Sequence, residues 1–332
     1  MNAEFFEAIE DIEKEKGIPR NYMYDKIRQA MLTAFRRDNP ECEDNVEVIL
    51  DEEKKRIEMN VMKTGVEEGE DPSHEINLEA AKKLSRRIAA QSAKQVIIQG
   101  IREAERGIIY EEFTSKEHEI LTGVVSHIEP RNGAVSIRIS SNSEFTEAML
   151  LPNECIKGEN LTEGDRIKVY VVEVRNSTRG PQVLISRTHP GLVKRLFELE
   201  VPEIYDGTVE IKSIAREAGS RTKMAVWSSD PNVDPIGSCV GPKGGRVASI
   251  VEELGGEKID IVKYSETPED FIAAALAPSD VISVTLLEEG RSCRVVGPDG
   301  QLSLAIGKEG QNARLAAKLT GYKIDIKPES EA

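Results

Sequence analysis

Two short loops, Gly241-Pro242-Lys243-Gly244 and Gly307-Lys308-Glu309-Gly310, hold the residues whose types and spacing could do chemistry in this chain. Glycine has no Cβ, so a loop with two of them lets another backbone approach closely. A helix that starts behind such a loop offers unpaired N–H donors and the positive end of its dipole. Lys243 and Lys308 lie inside the loops, and Arg246 and Arg314 follow them. Such a set could grip phosphate. Spacing alone decides little, because 25 glycines in 332 residues give about two such pairs by chance. A third pair, Gly297-Pro298-Asp299-Gly300, reads as an ordinary turn, since Pro-Asp-Gly follows a strand-like run. A nucleotide-binding P-loop fails on the residue after each lysine: Gly244 and Glu309 stand where a Ser or Thr would hold magnesium.

Context separates the first two loops from chance. CVGPKGGRVASIVEELGGEKIDIV, from Cys239, aligns with AIGKEGQNARLAAKLTGYKIDIK, from Ala305, so one supersecondary unit stands twice in tandem. The loop glycines are displaced by 66 positions and the closing KIDI by 65, which predicts a one-residue gap inside a helix. Each loop has a short apolar approach and is followed by helical spacing of apolar residues, Val247, Ile250, Val251 and Leu254 in one copy, Leu315 and Leu319 in the other. A glycine turn and an alternating strand, with Ile259 and Ile261 or Ile324 and Ile326, close each unit. Helix, G-x-x-G, helix, turn and strand in this order resemble a KH domain, a single-strand RNA reader whose loop grips about four nucleotides. A strand pair before each G-x-x-G helix predicts the type II topology. The site residues expected from this resemblance are Gly241, Pro242, Lys243, Gly244 and Arg246 in one copy, and Gly307, Lys308, Glu309, Gly310 and Arg314 in the other.

Upstream, residues 119–187 alternate in short runs: EILTGVVSHIE, AVSIRIS, EAMLLP, RIKVYVVEVR and QVLISR, with turn signals between them. Five strands in about 70 residues fit a small barrel. Gly123, the turn at Leu151-Pro152 and the run from Gly164 to Val169 resemble the S1 type of OB barrel. Its ring-bearing candidates for stacking are Phe145, Tyr170 and His127, a thin surface for RNA. Further upstream, Phe5, Ile9 and Ile12, then Ile27, Met31 and Phe35, mark two helices. Val46, Val48 and Leu50 opposite Ile57, Met59 and Val61 mark a hairpin, and a third helix is expected from Leu78 to Glu111. The fold class read from this is multidomain α+β: an α+β domain over 1–115, an S1-type barrel over 119–195, and two type II KH domains over 201–275 and 276–332.

Composition narrows the function class. The net charge of −15 argues against a general polyanion binder. Lys and Arg number 19 against 27 Asp and Glu in residues 1–118, 10 against 11 in 119–200 and 15 against 21 in 201–332, so no segment is basic. RNA would have to be met by backbone amides and a few placed cations. Cys42, Cys155, Cys239 and Cys293 lie far apart with no C-x-x-C pair, and His74, His118, His127 and His189 form no triad or H-E-x-x-H pattern. The expectation is a non-enzymatic chain with no metal and no cofactor. No apolar run reaches bilayer length and Met1-Asn2-Ala3-Glu4 opens no secretory signal, which predicts a cytoplasmic protein without a membrane partner. Trp227, the one tryptophan, is expected in the core.

The whole chain resembles the NusA family of bacterial transcription elongation and termination/antitermination factors. The most specific blocks are RIAAQSAKQVIIQGIREAER at 87–106, FELEVPEIYDGTVEIKSIAREAGSRTKMAV at 197–226, DPIGSCVGPKGGRV at 234–247, GGEKIDIV at 255–262 and AIGKEGQNARLA at 305–316. The resemblance implies that residues 1–115 bind the core of RNA polymerase and that barrel and KH copies face nascent single-stranded RNA. It further implies effects on pausing, hairpin-dependent termination and, with other antitermination factors as partners, antitermination. A monomer is expected, and regulation by the acidic repeats some members carry after the second KH copy is expected to be absent. The competing reading of the same modules is a free-standing S1/KH RNA-binding regulator of translation or RNA stability. A polynucleotide-phosphorylase-like subunit has KH before S1 and catalytic domains ahead of both, an order this sequence does not show.

Overall fold

The computed structural model describes residues 2–38, 46–52, 54–61, 98–140, 145–177, 180–287 and 290–331, and the chain divides into two units, Met1–Glu111 and Glu112–Ala332. In the first unit, helix α1 (Asn2–Lys16) ends at Gly17, whose φ of +67° breaks the helix, and α2 (Arg20–Asp38) follows. Strands β1 (Val46–Asp51) and β2 (Arg56–Val61) form the expected hairpin in the expected register, Val46 opposite Val61, Val48 opposite Met59 and Leu50 opposite Ile57. Phe6, Ile9, Ile27 and Met31 from one stripe of each helix share a core with Val48 and Leu50. The stripe thus runs through Phe6; the side chains of Phe5 and Phe35 lie outside the described residues. A helix over residues 98–114, α3, presents Ile101 and Ala104 to that core, and a Cβ on Gly100 would stand 3.7 Å from the end of the Met23 side chain. The expected helix from Leu78 is described only from residue 98 onward.

The second unit begins with the last residues of α3 and continues into β3 (Ile120–Ile128), β4 (Val135–Ser140), β5 (Phe145–Leu150), β6 (Arg166–Ser177) and β7 (Gly180–Ser186). These close a barrel in the order β3-β4-β5-β7-β6, with β3 pairing β6 and only β5 and β7 parallel. Alternate residues fill it: Val125, Ile137, Ile139, Ala148, Leu150, Val169 and Val183 are buried. Gly123 is small because a Cβ there would collide with the Ile137 methyl across the ladder.

Two copies of one unit follow. The first comprises α4 (Pro190–Glu200), the short α5 (Pro202–Tyr205), β8 (Val209–Glu217), β9 (Arg221–Ser228), α6 (Pro235–Val240), α7 (Gly245–Glu253) and β10 (Lys258–Lys263). The second comprises α8 (Pro268–Ala275), β11 (Ser283–Leu287), β12 (Ser292–Gly297), α9 (Leu302–Ile306), α10 (Gln311–Thr320) and β13 (Lys323–Pro328). In each, an antiparallel pair is completed by a parallel strand, β10 on β9 and β13 on β12, so the strand pair expected before each G-x-x-G helix is present. Phe271, Ile272 and Leu276, in α8 and just past it, share a core with Leu315, Ala316 and Leu319 of α10.

Two expectations are corrected. The one-residue gap of the repeat lies in the helix-to-strand turn, not in the helix: Gly255 to Glu257 in one copy face Gly321 and Tyr322 in the other, and Gly255 and Gly256, both at positive φ, take up the extra length. Trp227 is half-buried, because pairing of β10 with β9 ends at Val226; Lys212 Nζ sits 4.6 Å over its ring.

Candidate nucleic-acid interface

Both loops have the same backbone. Gly241 lies at φ 72°, ψ 176° and Gly307 at 75°, 173°; Lys243 and Glu309 at 54° with ψ of 23° and 26°; Gly244 and Gly310 at 77°, 13° and 74°, 14°. Three of four residues at positive φ, one of them not glycine, make a strained turn that the flanking helices must hold. The two glycines of each loop do different work. A Cβ on Gly241 would stand 2.6 Å from Arg246 Cγ, and one on Gly307 would stand 2.8 Å from both Cβ and N of Asn312. The first glycine therefore lets the loop pack on the first turn of its helix. Around the second, Gly244 or Gly310, nothing lies within 4 Å of such a Cβ, which leaves the outer face open for another backbone.

The closures differ in their side chains. Arg246 donates to the Ser238 carbonyl at 2.6 Å and to Glu203 at 2.9 Å, tying the loop to α6 and α5. Its positional counterpart in the repeat is the buried Asn312, whose amide donates to the carbonyls of Ala305 and Leu276, both at 3.0 Å. Sequence reasoning missed Asn312; only the 66-residue offset carried through to the helix would have found it. Arg314 instead donates to Glu217 at 2.6 Å and to the Glu309 carbonyl. Glu217 in turn is held below the usual carboxylate range, first by Arg314 and then by Gln311. Carboxylates thus already hold both guanidinium groups that the sequence offers to phosphate, and the same bonds tie the loops in place. Lys243 and Lys308 are exposed and form no salt bridge among the described residues, as do Pro242 and Glu309 on the exposed side of the loops.

The third G-x-x-G is a turn between β12 and α9, as expected. Cys239 lies under the first loop, where burial, followed by Glu203, pushes its thiol up to about 12; it is a core residue. On the barrel, Phe145 is 71% exposed with the Arg138 guanidinium 5.8 Å from its ring, and His127 is exposed against Glu163. Tyr170, the third stacking candidate, is corrected: it is buried between His189, stacked at 4.6 Å and 5°, and His118, whose Nδ1 lies 3.3 Å from its hydroxyl. That sandwich joins barrel to α4, and Gly191 leaves room for the Tyr170 ring. The same joint holds a fully buried Arg187, which donates to Glu159 of the barrel and to the Glu253 carbonyl and carboxylate at the end of α7.

The comparisons with known proteins agree with this architecture. A model of the NusA N-terminal domain matches residues 4–107, one of the NusA-like first KH domain 187–264, and one of the NusA-like second KH domain 268–332. Along its full length the chain is 50% identical to the transcription termination/antitermination protein NusA of Halalkalibacterium halodurans, covering 90% of that protein. The chain belongs to the NusA family. It is also 49% identical to NusA of Bacillus subtilis, with all of this chain and 92% of that protein covered. With NusA of Thermus thermophilus it shares 41% over 98% of this chain and 89% of that one. Among the described residues no helix is long and apolar enough to cross a membrane.

Proposed function

We propose that the protein is a non-enzymatic, cytoplasmic factor of transcription termination and antitermination that binds the core of RNA polymerase through residues 1–115 and nascent single-stranded RNA through the barrel at 119–195 and the KH copies at 201–275 and 276–332. The observation that carries the reading is the end-to-end identity of 49–50% with proteins named for that activity. It favours a polymerase partner over the free-standing regulator of translation or RNA stability.

The grip on RNA follows from the loops. Phosphate meets Lys243 and Lys308 together with the amides that open α7 and α10, while Arg246 and Arg314 hold the loops in shape. Two exposed lysines in a chain of net charge −15 make a weak site by themselves. Two loops on one chain raise the effective concentration of each for the same strand, and attachment to polymerase raises it again beside the emerging transcript. Strong intrinsic affinity is unnecessary.

Co-purification tests the reading. Tagged protein is expected to retain core RNA polymerase and to lose it when residues 1–115 are removed. Retention of ribosomes without polymerase would overturn it.

A further inference from the structure

Three modules of the second unit meet around one cavity of about 560 Å³, within the size range of small-molecule sites. The barrel contributes the segment after β5, with Asn153 and Lys157; the first KH copy contributes the β8–β9 turn; the second contributes its glycine loop, with Lys308. The meeting is built. Gly219, at φ +76°, presses the β8–β9 turn onto the barrel so closely that a Cβ would stand 2.9 Å from the Lys157 carbonyl and from an Ile156 methyl. Gln311 donates to Ser220 at 2.8 Å and to Glu217 at 2.9 Å, and Arg314 closes on Glu217.

Charge is left over inside it. Arg314 neutralises Glu217, and Glu154 lies beside the wall, where it holds the Asn153 amide and the Thr188 hydroxyl; Lys157 and Lys308 form no salt bridge among the described residues. The exposed Asn153 on the wall donates one amide N–H to Glu154 at 3.2 Å, and its carboxamide oxygen offers an acceptor to a base edge or a 2′-hydroxyl.

We infer that this cavity is a nucleotide subsite for the RNA strand beyond the second glycine loop, with its phosphate held between Lys157 and Lys308. The subsite belongs to neither the barrel nor a KH copy, and it hands the strand from one to the other. It rests on the RNA reading proposed above. A KH loop covers about four nucleotides, so an oligonucleotide of about that length fills a loop without needing Lys157, whereas a longer one spans loop and cavity.

The test uses the full chain with Lys157→Glu and Lys157→Arg, and single-stranded RNA of about 4 and about 12 nucleotides, followed by fluorescence anisotropy at several salt concentrations. For the long RNA, Lys157→Glu should cost about tenfold in affinity and flatten the slope of log affinity against log salt by about one, while Lys157→Arg restores both. The short RNA should bind both variants like the parent. Long RNA should also slow alkylation of Cys155, which lines the cavity, where uridine monophosphate at equal concentration does not. Unchanged long-RNA affinity and slope in Lys157→Glu, with the parent binding well, would overturn the subsite and leave the RNA reading standing. Protection of Cys155 by the mononucleotide and not by long RNA would assign the cavity to a free nucleotide and overturn it as well. A parent chain that binds RNA of neither length would overturn the RNA reading itself.

Discussion

Replacing the two glycines of the first loop one at a time should separate folding from RNA contact. At Gly241 the backbone sits at φ 72°, ψ 176°, a region open essentially only to glycine, and alanine there costs on the order of 1 to 3 kcal/mol. Its methyl would also stand 2.6 Å from Arg246 Cγ, and moving that stem releases the hydrogen bonds to Ser238 and Glu203, about 1 kcal/mol more. Gly241→Ala should therefore lose about 2 to 4 kcal/mol. Gly244 lies in the left-handed helical region with nothing within 4 Å, so Gly244→Ala should cost only about 1 kcal/mol. In a unit of this size each kcal/mol shifts the melting midpoint by about 2 to 4 °C. Thermal melts followed by circular dichroism should show Gly241→Ala falling by at least about 4 °C and Gly244→Ala by about half of that or less. RNA binding should rank them the other way once temperature is kept below both midpoints, because the Gly244 methyl stands on the open face where a phosphate backbone would approach; a loss of about tenfold is expected. A Gly244→Ala variant that binds RNA like the parent would refute the claim that the open face meets RNA. A Gly241→Ala variant more stable than Gly244→Ala would refute the packing argument.

Three further outcomes follow from the joints and the barrel. Removing Arg187 as Arg187→Ala takes the cation from Glu159 and leaves Glu253 with Lys168 alone at 3.8 Å, and should cost about 3 to 5 kcal/mol by denaturant unfolding; a loss below 1 kcal/mol would show that the buried bridge is not needed. Phe145→Ala should leave the melting midpoint unchanged and weaken RNA binding by about 1 to 3 kcal/mol, while Tyr170→Ala should mainly lower stability; equal RNA affinity of Phe145→Ala and parent would remove the barrel from the interface. His189 caps α4 by accepting the Gly191 N–H at Nδ1, which only a neutral ring can do, and burial pushes its pKa below the ordinary value of 6.5. With the folded pKa depressed, the unfolded chain takes the proton first, so this contribution is present above pH 6.5 and is lost as the pH falls toward the lower folded value. Melting midpoints should drop from pH 7 to pH 5 more steeply in the parent than in His189→Asn, which can cap without titrating; parallel curves would contradict it.

The elements were legible where a single period ran long enough. The hairpin register from Val46 to Val61, the five barrel strands and the two glycine units all follow from alternation, helical spacing and the internal repeat. What escaped lay in contacts between distant residues. Arg246 and Arg314 look like loop cations in sequence, yet Glu203 lies 43 residues and Glu217 97 residues away from them, and only the fold brings those acids in. Tyr170 looks like a stacking ring on an alternating strand, but His118 and His189 reach it from outside the strand and bury it. Asn312 carries no local signal, since its partners are carbonyls. The gap in the repeat was misplaced because periodicity marks a helix face better than a helix end, and here a pair of glycines fixes the end.

If the glycine loops act on RNA while the chain is held on polymerase, both contacts must count at one pause. Single-round transcription through a hairpin pause measures it, with the parent compared with a chain in which Pro242, Lys243, Lys308 and Glu309 are all replaced by Asp. Their glycines stay in place, so the fold should survive while like charge opposes phosphate at both loops. The parent should lengthen the pause; the substituted chain should still be retained by core polymerase and should lose most of that lengthening. A substituted chain that is folded, retained by polymerase and lengthens the pause as much as the parent would contradict the account.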